Sequence, residues 1–148
     1  MLKAKDIMTI GLITVTPGTE ITHAAKLLIE KGINGIPVVE DGKLLGIICQ
    51  SDLIVQQKKI SIPSLFTLLD GFIPLKTTKH MEKELQEIAA TTVEQVMTQD
   101  PITIQPETSI EDIASLMIDK NIHTLPVVDG GKLVGIVGKE DILRTLIP

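Results

Sequence analysis

The chain contains an internal repeat, and this repeat constrains the fold more than any other feature of the sequence. With an offset of 89 positions, residues 8–53 align with residues 97–142 without a gap. The two copies share individual proline, glycine and aspartate positions, which convergence on a common hydrophobic pattern would not match. We therefore interpret the chain as a duplication. Matched pairs include Pro17 and Pro106, Pro37 and Pro126, Gly46 and Gly135, and Asp52 and Asp141.

Each copy begins with a predicted strand and helix. Residues 13–15 and 102–104 are short β-rich runs that end before a proline. A helix follows in each copy, with Thr19 or Thr108 as its predicted N-cap. Gly32 and Asn121 stand where a left-handed residue commonly ends a helix.

The second part of each copy predicts a β-hairpin and a further helix. Strands over 36–39 and 44–48 flank Asp41-Gly42, which is a hairpin turn signal. The second copy repeats this pattern, and its last helix is predicted to begin near Glu140, as that of the first begins near Ser51. The sequence therefore predicts an α/β (α+β) fold of two β-α-β-β-α repeats. Because a unit of about 50 residues is marginal alone, we expect the repeats to pack with pseudo-two-fold symmetry and share a core.

The predicted organisation has three parts. The first repeat occupies residues 1–57, a partly helical connecting insert residues 58–90, and the second repeat residues 91–148. Both phenylalanines lie in the insert. The insert is either a connector that covers an element of the fold, or a lid or dimer contact.

Composition excludes several classes of function. The formal net charge is −5 and aromatic residues make up 1% of the chain, which argues against nucleic-acid binding. No apolar run is long enough to span a membrane, and no signal peptide is expected. A single cysteine, Cys49, excludes a disulfide framework, and the three scattered histidines give no zinc motif. We expect a cytoplasmic protein without membrane contact.

Motifs in the same order in both copies resemble a known module. The first copy has Asp6-Ile7-Met8-Thr9, then Ile-Pro-Val-Val, then Gly-Lys-Leu-Leu-Gly-Ile-Ile followed by Asp52-Leu53. The second has Val96-Met97-Thr98, Leu-Pro-Val-Val-Asp, Gly-Lys-Leu-Val-Gly-Ile-Val and Asp141-Ile142. Together they resemble a pair of CBS (cystathionine β-synthase) domains, also called a Bateman module. The resemblance covers nearly the whole chain except the insert.

The resemblance implies a regulatory protein and not an enzyme. Members of this family bind adenine nucleotides or related adenosyl ligands in clefts between paired motifs, and many form homodimers. We therefore expect a stand-alone CBS-domain homodimer that senses ligands of the AMP, ADP and ATP class and signals to a separate protein target. No obligatory cofactor or metal is expected. The alternatives are binding of another adenosyl ligand such as S-adenosylmethionine, or an assembly module with degenerate clefts.

The resemblance also implies site residues. In the family, the aspartate at the start of the last helix accepts hydrogen bonds from the ribose hydroxyls, and Asp52 and Asp141 hold that position. The alternative is that both aspartates are ordinary first-turn residues, which interact favourably with the helix dipole. The family pattern has Thr or Ser three residues earlier, where this chain has Cys49 and Gly138. That departure favours the alternative of an assembly module with degenerate clefts. Cys49 itself is expected to be a buried, inert thiol, with a redox-sensing thiol as the alternative.

The residues before the matched prolines form a second group implied by the resemblance. In the family, backbone atoms there read the adenine edge and the apolar side chain packs on its face. His123 matches a histidine that contacts phosphate in the γ subunits of AMP-activated protein kinase, although Thr124 replaces the arginine that follows it there. A histidine bonded to backbone is the alternative. These positions are Asn34, Gly35, Ile36 and Pro37, and His123, Thr124, Leu125 and Pro126.

The two predicted clefts differ in positive charge, and we expect them to differ in their affinity for anions. Lys139 opens the last helix of the second repeat, where the first repeat has Gln50. Because charge-assisted hydrogen bonds to phosphate are stronger than neutral ones, we expect tighter anion binding at the second repeat. A solvated lysine is the alternative. Thr14 and Thr103 match the region where the adenosine enters in the family, although β propensity alone also accounts for them.

Overall fold

The computed structural model describes residues 1–57 and 90–148. Each half has a short helix, a longer helix, a two-stranded hairpin and a final helix, which confirms the predicted duplication. The first half contains α1 (Ala4–Ile7), α2 (Ile21–Lys31), β1 (Gly35–Glu40), β2 (Lys43–Cys49) and α3 (Gln50–Gln57). The second half contains α4 (Val93–Val96), β3 (Thr98–Gln99), α5 (Ile110–Asp119), β4 (Thr124–Asp129), β5 (Lys132–Gly138) and α6 (Lys139–Arg144).

The two hairpins follow the prediction closely. β1 pairs antiparallel with β2, and β4 pairs antiparallel with β5 in the equivalent register. Both turns require positive φ at both central residues, a conformation that favours glycine and aspartate. Asp41 and Gly42 have φ of 52° and 79°, and Gly130 and Gly131 have φ of 58° and 81°. These local signals explain why the hairpins could be located from sequence.

The first predicted strand of each repeat is shorter than expected. Val15 forms a single parallel bridge to Val38, and Ile104 forms the equivalent bridge to Val127. The Val15 N–H donates to the Pro37 carbonyl at 3.1 Å, and the Val39 N–H donates to the Val15 carbonyl at 2.9 Å. The pairing stops there because the chain turns at the proline that follows.

The predicted helix N-caps are wrong by one residue. The caps are Glu20 and Ser109, and the Ser109 Oγ accepts a hydrogen bond from the Asp112 N–H at 3.2 Å. Thr19 and Thr108 instead close the preceding turns, since their hydroxyls accept from the backbone N–H three residues earlier at 3.1 and 3.0 Å. At the other ends, the expected left-handed residues are confirmed, with φ of 60° at Gly32 and 52° at Asn121.

The repeats are joined by an exchange of short helices, and not by a single shared core. Val93 of α4 is fully buried in the core of the first repeat, beside Leu28 and Ile48. Ala4 of α1 is fully buried in the core of the second repeat, beside Ile113. Each hydrophobic core is therefore completed by the segment that precedes the other repeat.

Surface contacts hold the amino-terminal helix on the second repeat. The Ala4 N–H donates to the Thr108 carbonyl at 2.8 Å. Lys3 and Lys5 both pair with Glu107, at 2.5 and 2.7 Å, and hydrogen bonds from these ammonium groups lower the pKa of Glu107 to about 2. Because the pKa is depressed, the contribution of these pairs is present above the ordinary carboxyl pKa and is lost as pH falls towards 2.

The predicted insert lies almost wholly outside the described residues, which resume at Ala90. Its predicted roles as a connector, a lid or a dimer contact therefore remain sequence-based expectations. No helix within 1–57 or 90–148 is both long and apolar enough to cross a membrane.

Candidate functional site

A cleft of about 270 Å³ lies between the two repeats. Ligand pockets in proteins usually measure roughly 300–1,000 Å³, so the cleft lies just below the usual range and would suit only a small ligand such as a nucleoside. Both repeats contribute to its walls. The first provides Thr9, Gly11, Leu12, Ile13, Lys31, Gly32, Ile33, Asn34 and Gly35, and the second provides Thr124, Ile136, Gly138, Lys139, Glu140, Asp141 and Arg144.

The helix exchange brings the first repeat into contact with the second at this cleft. Thr9, which follows α1, pairs with Ile136 of β5 through two backbone hydrogen bonds of 2.9 and 3.1 Å. Close approach is possible because Gly135 has no side chain beside Met8. Thr9 is therefore held by the strand of the other repeat, at a cleft that residues of both repeats line.

Asp141 is the most enclosed charged group in the cleft. It lies in the first turn of α6, and its side chain is 10% exposed. Oδ2 accepts a hydrogen bond from the Gly138 N–H at 2.8 Å, which caps the helix. Oδ1 accepts from Nη1 of Arg144 at 3.1 Å. A carboxylate has two oxygens with about four acceptor positions, so Asp141 keeps capacity to accept bonds from ligand hydroxyls.

Asp52 repeats this arrangement with a different second partner. Its Oδ2 accepts from the Cys49 N–H at 2.8 Å, as the pseudo-two-fold symmetry requires. Its Oδ1 accepts from the hydroxyl of Thr98 at 3.1 Å, whereas Arg144 takes the equivalent place at Asp141. The residue that matches Arg144 in the first repeat is Val55. The two aspartates therefore share a backbone geometry but differ in their charged surroundings.

Basic side chains outnumber acidic ones around the Asp141 cleft. Lys31, Lys139 and Arg144 line it, against Glu140 and Asp141. The positions that match the three basic residues are Lys120, Gln50 and Val55, so the Asp52 side retains one of three. The Asp141 cleft is the better suited to an anionic ligand, because fixed positive charge lowers the free energy of a bound phosphate.

A family model for the CBS domain matches residues 4–58 and again residues 93–148. The chain belongs to the CBS domain family. The match covers both repeats, so the chain carries a CBS pair, as the sequence motifs predicted.

Relatives of the CBS pair agree in sequence and in fold. Protein MJ1426 of Methanocaldococcus jannaschii is 36% identical, over 97% of this chain and 90% of its own length. The chloroplastic CBS domain-containing protein CBSX2 of Arabidopsis thaliana is 30% identical over 93% of this chain, which spans only 59% of that protein. The crystal structure of CBSX2 in complex with AMP has a TM-score of 0.74 and 27% identity, covering 99% of this chain and 97% of the solved one.

A third relative was crystallised with other adenosyl ligands. The CBS domain pair of protein MJ0100, in complex with 5′-methylthioadenosine and S-adenosyl-L-methionine, has a TM-score of 0.69 and 31% identity. It covers 99% of this chain and 96% of the solved chain. The family therefore includes pairs with the fold of this chain whose crystal structures contain phosphorylated or unphosphorylated adenosyl compounds.

Five of the residues predicted from sequence line the CBS-pair cleft together. They are Asn34, Gly35, Thr124, Lys139 and Asp141. Gly35 is a close-packing position, since a Cβ there would lie 3.4 Å from the Cβ of Thr124 in the other repeat. Asp52 lies at the equivalent place on the opposite side of the pseudo-two-fold axis.

The other predicted residues do not line this cleft. Ile36, Pro37, Leu125 and Pro126 are fully buried within the hairpins. Their side chains pack inside the repeats. The side chains of Thr14, Thr103 and His123 are exposed, and His123 contributes its carbonyl, which accepts from the Lys139 N–H at 3.0 Å. A ligand-binding role for these seven residues stays a prediction from the resemblance.

Sequence reasoning missed Thr9, Lys31 and Arg144, which line the cleft. Arg144 had a usable signal, because a residue three positions after Asp141 in a helix lies on the same face. Thr9 and Lys31 gave none, since their place depends on how the first repeat packs against the second. Among the residues that the structure describes, no group of three or more His, Cys, Asp or Glu side chains is arranged to hold a metal ion.

Cys49 is a partly buried thiol with a raised pKa. Burial, and then the nearby negative charge of Asp52, raise the pKa of Cys49 from 9.0 to about 11. Only the thiolate is strongly nucleophilic, so at pH 7.5 less than roughly one molecule in a thousand is reactive. We expect iodoacetamide to modify the native protein at least ~10-fold more slowly than the unfolded chain, with a rate that rises towards pH 11. Mass spectrometry of timed samples measures both rates, and a native rate with its midpoint near pH 8 would contradict the inert thiol.

Proposed function

We propose that this CBS pair is a regulatory module that binds an adenosine-containing, phosphorylated ligand in the Asp141 cleft. The observation that carries the proposal is a nucleoside-sized cleft that combines an enclosed carboxylate with three basic side chains from both repeats. In this scheme Asp141 accepts hydrogen bonds from ribose hydroxyls, and Lys31 and Lys139 attract the phosphate. AMP, ADP and ATP are the ligands of first choice.

The relatives support this chemistry. CBSX2 was crystallised with AMP and the MJ0100 pair with 5′-methylthioadenosine and S-adenosylmethionine, and both match this chain over nearly its full length. The basic lining of the Asp141 cleft favours the phosphorylated compounds over S-adenosylmethionine, whose sulfonium is positively charged. We therefore keep S-adenosylmethionine as the alternative ligand.

Regulation follows from the position of the cleft between the repeats. A ligand that touches Thr9 and residues 11–13 of the first repeat and Asp141 of the second stabilises one relative arrangement of the two. It can shift the equilibrium only by its difference in affinity for the arrangements. We propose that a separate protein target reads this shift, that the chain carries no catalytic activity of its own, and that it acts in the cytoplasm.

A degenerate assembly module is the competing function. Gly138 offers no hydroxyl where the family pattern has one, and Asp141 already accepts a hydrogen bond from Arg144. Both observations would fit a cleft that no longer binds ligands.

Ligand binding is tested by thermal denaturation of the purified chain with AMP, ADP, ATP, adenosine and S-adenosylmethionine. At a concentration 100 times the Kd, a ligand of the native state adds about 2.7 kcal/mol to the unfolding free energy. For a chain of this size, that corresponds to a rise in Tm of roughly 5–10 °C. We expect the phosphorylated compounds to give the largest rise. GTP serves as the control for nucleotide charge without adenine, and an unchanged Tm across the panel would favour the assembly module.

We also propose a homodimer that forms through the helices of both repeats. Large apolar side chains are exposed at matched positions, with Ile29 and Ile118 at 71% and 79%, and Ile54 and Leu143 at 60% and 56%. Because both repeats expose large apolar side chains at these matched positions, the helices that carry them are suited to contact with a second copy of the chain.

Light scattering measures the oligomeric state directly. We expect the mass of a dimer for the unmodified chain and of a monomer when Ile29→Asp and Ile118→Asp are combined. Ile10→Asp is the matched control, since Ile10 is equally exposed at 70% but lies outside these helices. A monomeric unmodified chain, or a dimer that survives the double substitution, would contradict this interface.

A further inference from the structure

We propose that Arg144 determines the preference of the cleft for phosphorylated over unphosphorylated adenosine ligands. Its guanidinium is bonded to the carboxylate that we assign to the ribose, and it is free to exchange that carboxylate for a phosphate. This inference rests on the proposed function, because it assumes that adenosine-containing ligands bind at Asp141.

The guanidinium takes one acceptor position of the carboxylate that we assign to the ribose. Oδ2 of Asp141 accepts from the Gly138 N–H at 2.8 Å, so each of its two oxygens already has one donor and keeps about one further acceptor position. Nη1 of Arg144 lies 3.1 Å from that Oδ1, and both residues line the cleft. A phosphate that draws Arg144 away would therefore free a second acceptor position on Oδ1 for the ribose.

Arg144 is held loosely enough to move. Its side chain is 69% exposed, and its second contact, from Nη2 to Glu140, is long at 3.7 Å. Ion pairs with an exposed partner are weak, because water and salt screen them and a long side chain loses freedom when it is held. By contrast, the planar guanidinium matches a phosphate with two parallel hydrogen bonds. A change of partner from the Asp141 carboxylate to a ligand phosphate therefore lowers the free energy of the Arg144 guanidinium.

This exchange makes affinity depend on the phosphate. Adenosine offers the guanidinium no partner besides Asp141. AMP provides a phosphate that can replace Asp141 as the partner of Arg144, and Lys31 and Lys139 add positive charge to the lining of the same cleft. The first repeat has Val55 at the matched position, so the Asp52 side lacks this device.

Calorimetric titration of AMP and adenosine into the full chain tests the assignment. We expect Arg144→Gln to weaken AMP binding by roughly tenfold or more, the effect of one charge-assisted hydrogen bond, and to leave adenosine affinity equal or higher. The ratio of the two affinities should therefore fall at least about tenfold. Arg144→Lys keeps the charge without the planar fork, and its ratio should be intermediate. Lys26→Gln removes the same charge from an exposed pair on α2 outside the cleft and should change neither affinity.

The adenosine measurement also shows whether the cleft remains intact in the variant. An unchanged ratio, or an equal loss for AMP and adenosine, would overturn the role of Arg144 while the proposed function stands. If the unmodified chain binds neither compound, the proposed function fails and this inference fails with it.

Discussion

Replacing Asp141 with alanine is expected to reduce the affinity for AMP by about 10- to 100-fold. The substitution removes hydrogen bonds to a charged acceptor, each of which contributes roughly 1.5–3 kcal/mol. The acceptor is 10% exposed, so water cannot replace it readily. The matched substitution Asp52→Ala should change AMP affinity less than about threefold, because its surroundings hold fewer basic groups. Calorimetric titration of both variants measures the difference.

The pair of variants controls for the helix cap. Both aspartates accept a hydrogen bond of 2.8 Å from the backbone N–H three residues earlier, so both alanine variants lose the same cap. Loss of such a cap costs about 1 kcal/mol of stability, which affects each repeat alike. Asp141→Asn keeps an acceptor for the cap but removes the charge, and its AMP affinity should lie between those of the unmodified chain and Asp141→Ala. An equal loss of affinity in Asp52→Ala and Asp141→Ala would contradict the ranking of the two clefts.

Local signals made the repeat architecture predictable. The turn at Asp41-Gly42, the left-handed Gly32 and the apolar runs of the hairpins depend on residues close together in sequence. Their conformations are determined by backbone sterics and turn chemistry, which single sequences carry. The N-caps were misplaced because the hydroxyls of Thr19 and Thr108 close the preceding turns, and each helix begins one residue later than its threonine indicated.

The contacts between repeats were not predictable in the same way. Val93 and Ala4 each complete the core of the opposite repeat, and nothing in their local pattern specifies that partner. The cleft depends on this exchange, since Thr9 reaches Ile136 only when α1 packs on the second repeat.

The difference between His123 and Thr124 shows how far the sequence could predict the lining of the cleft. They are neighbours in sequence and were predicted together, but Thr124 lines the cleft and the side chain of His123 is exposed outside its lining. His123 lies in a bend and Thr124 begins β4, so a motif that places a segment at a site does not place every side chain there. The family resemblance located the segment, and the packing of the two repeats decided which of its side chains face the cleft.

The helix exchange itself predicts a large loss of stability in Gly46→Ala. A Cβ at position 46 would lie 2.6 Å from the Thr98 carbonyl oxygen and 2.7 Å from Sδ of Met97. The carbonyl belongs to the backbone of β3, which pairs with β2 and cannot move without breaking that pairing. Overpacking of this kind costs about 1–3 kcal/mol, and we expect the upper part of that range. Denaturant unfolding measures the change, and Gly18→Ala is the control, because nothing lies within 4 Å of a Cβ there.

Adding a second substitution to each glycine variant distinguishes the contact made by Met8 from the contact made by Met97 and Thr98. At Gly135 the atoms nearest to a Cβ belong to the side chain of Met8, with Cγ at 2.9 Å, so Met8→Ala should recover much of the stability lost in Gly135→Ala. Met97→Ala should recover little in Gly46→Ala, since the Thr98 carbonyl remains in the way. Contacting residues show coupling of about 0.5–3 kcal/mol in double-mutant cycles. Additive effects of Gly135→Ala and Met8→Ala would mean that α1 does not pack on the second repeat in solution. The cleft at Asp141, which depends on this packing, would then not form as described.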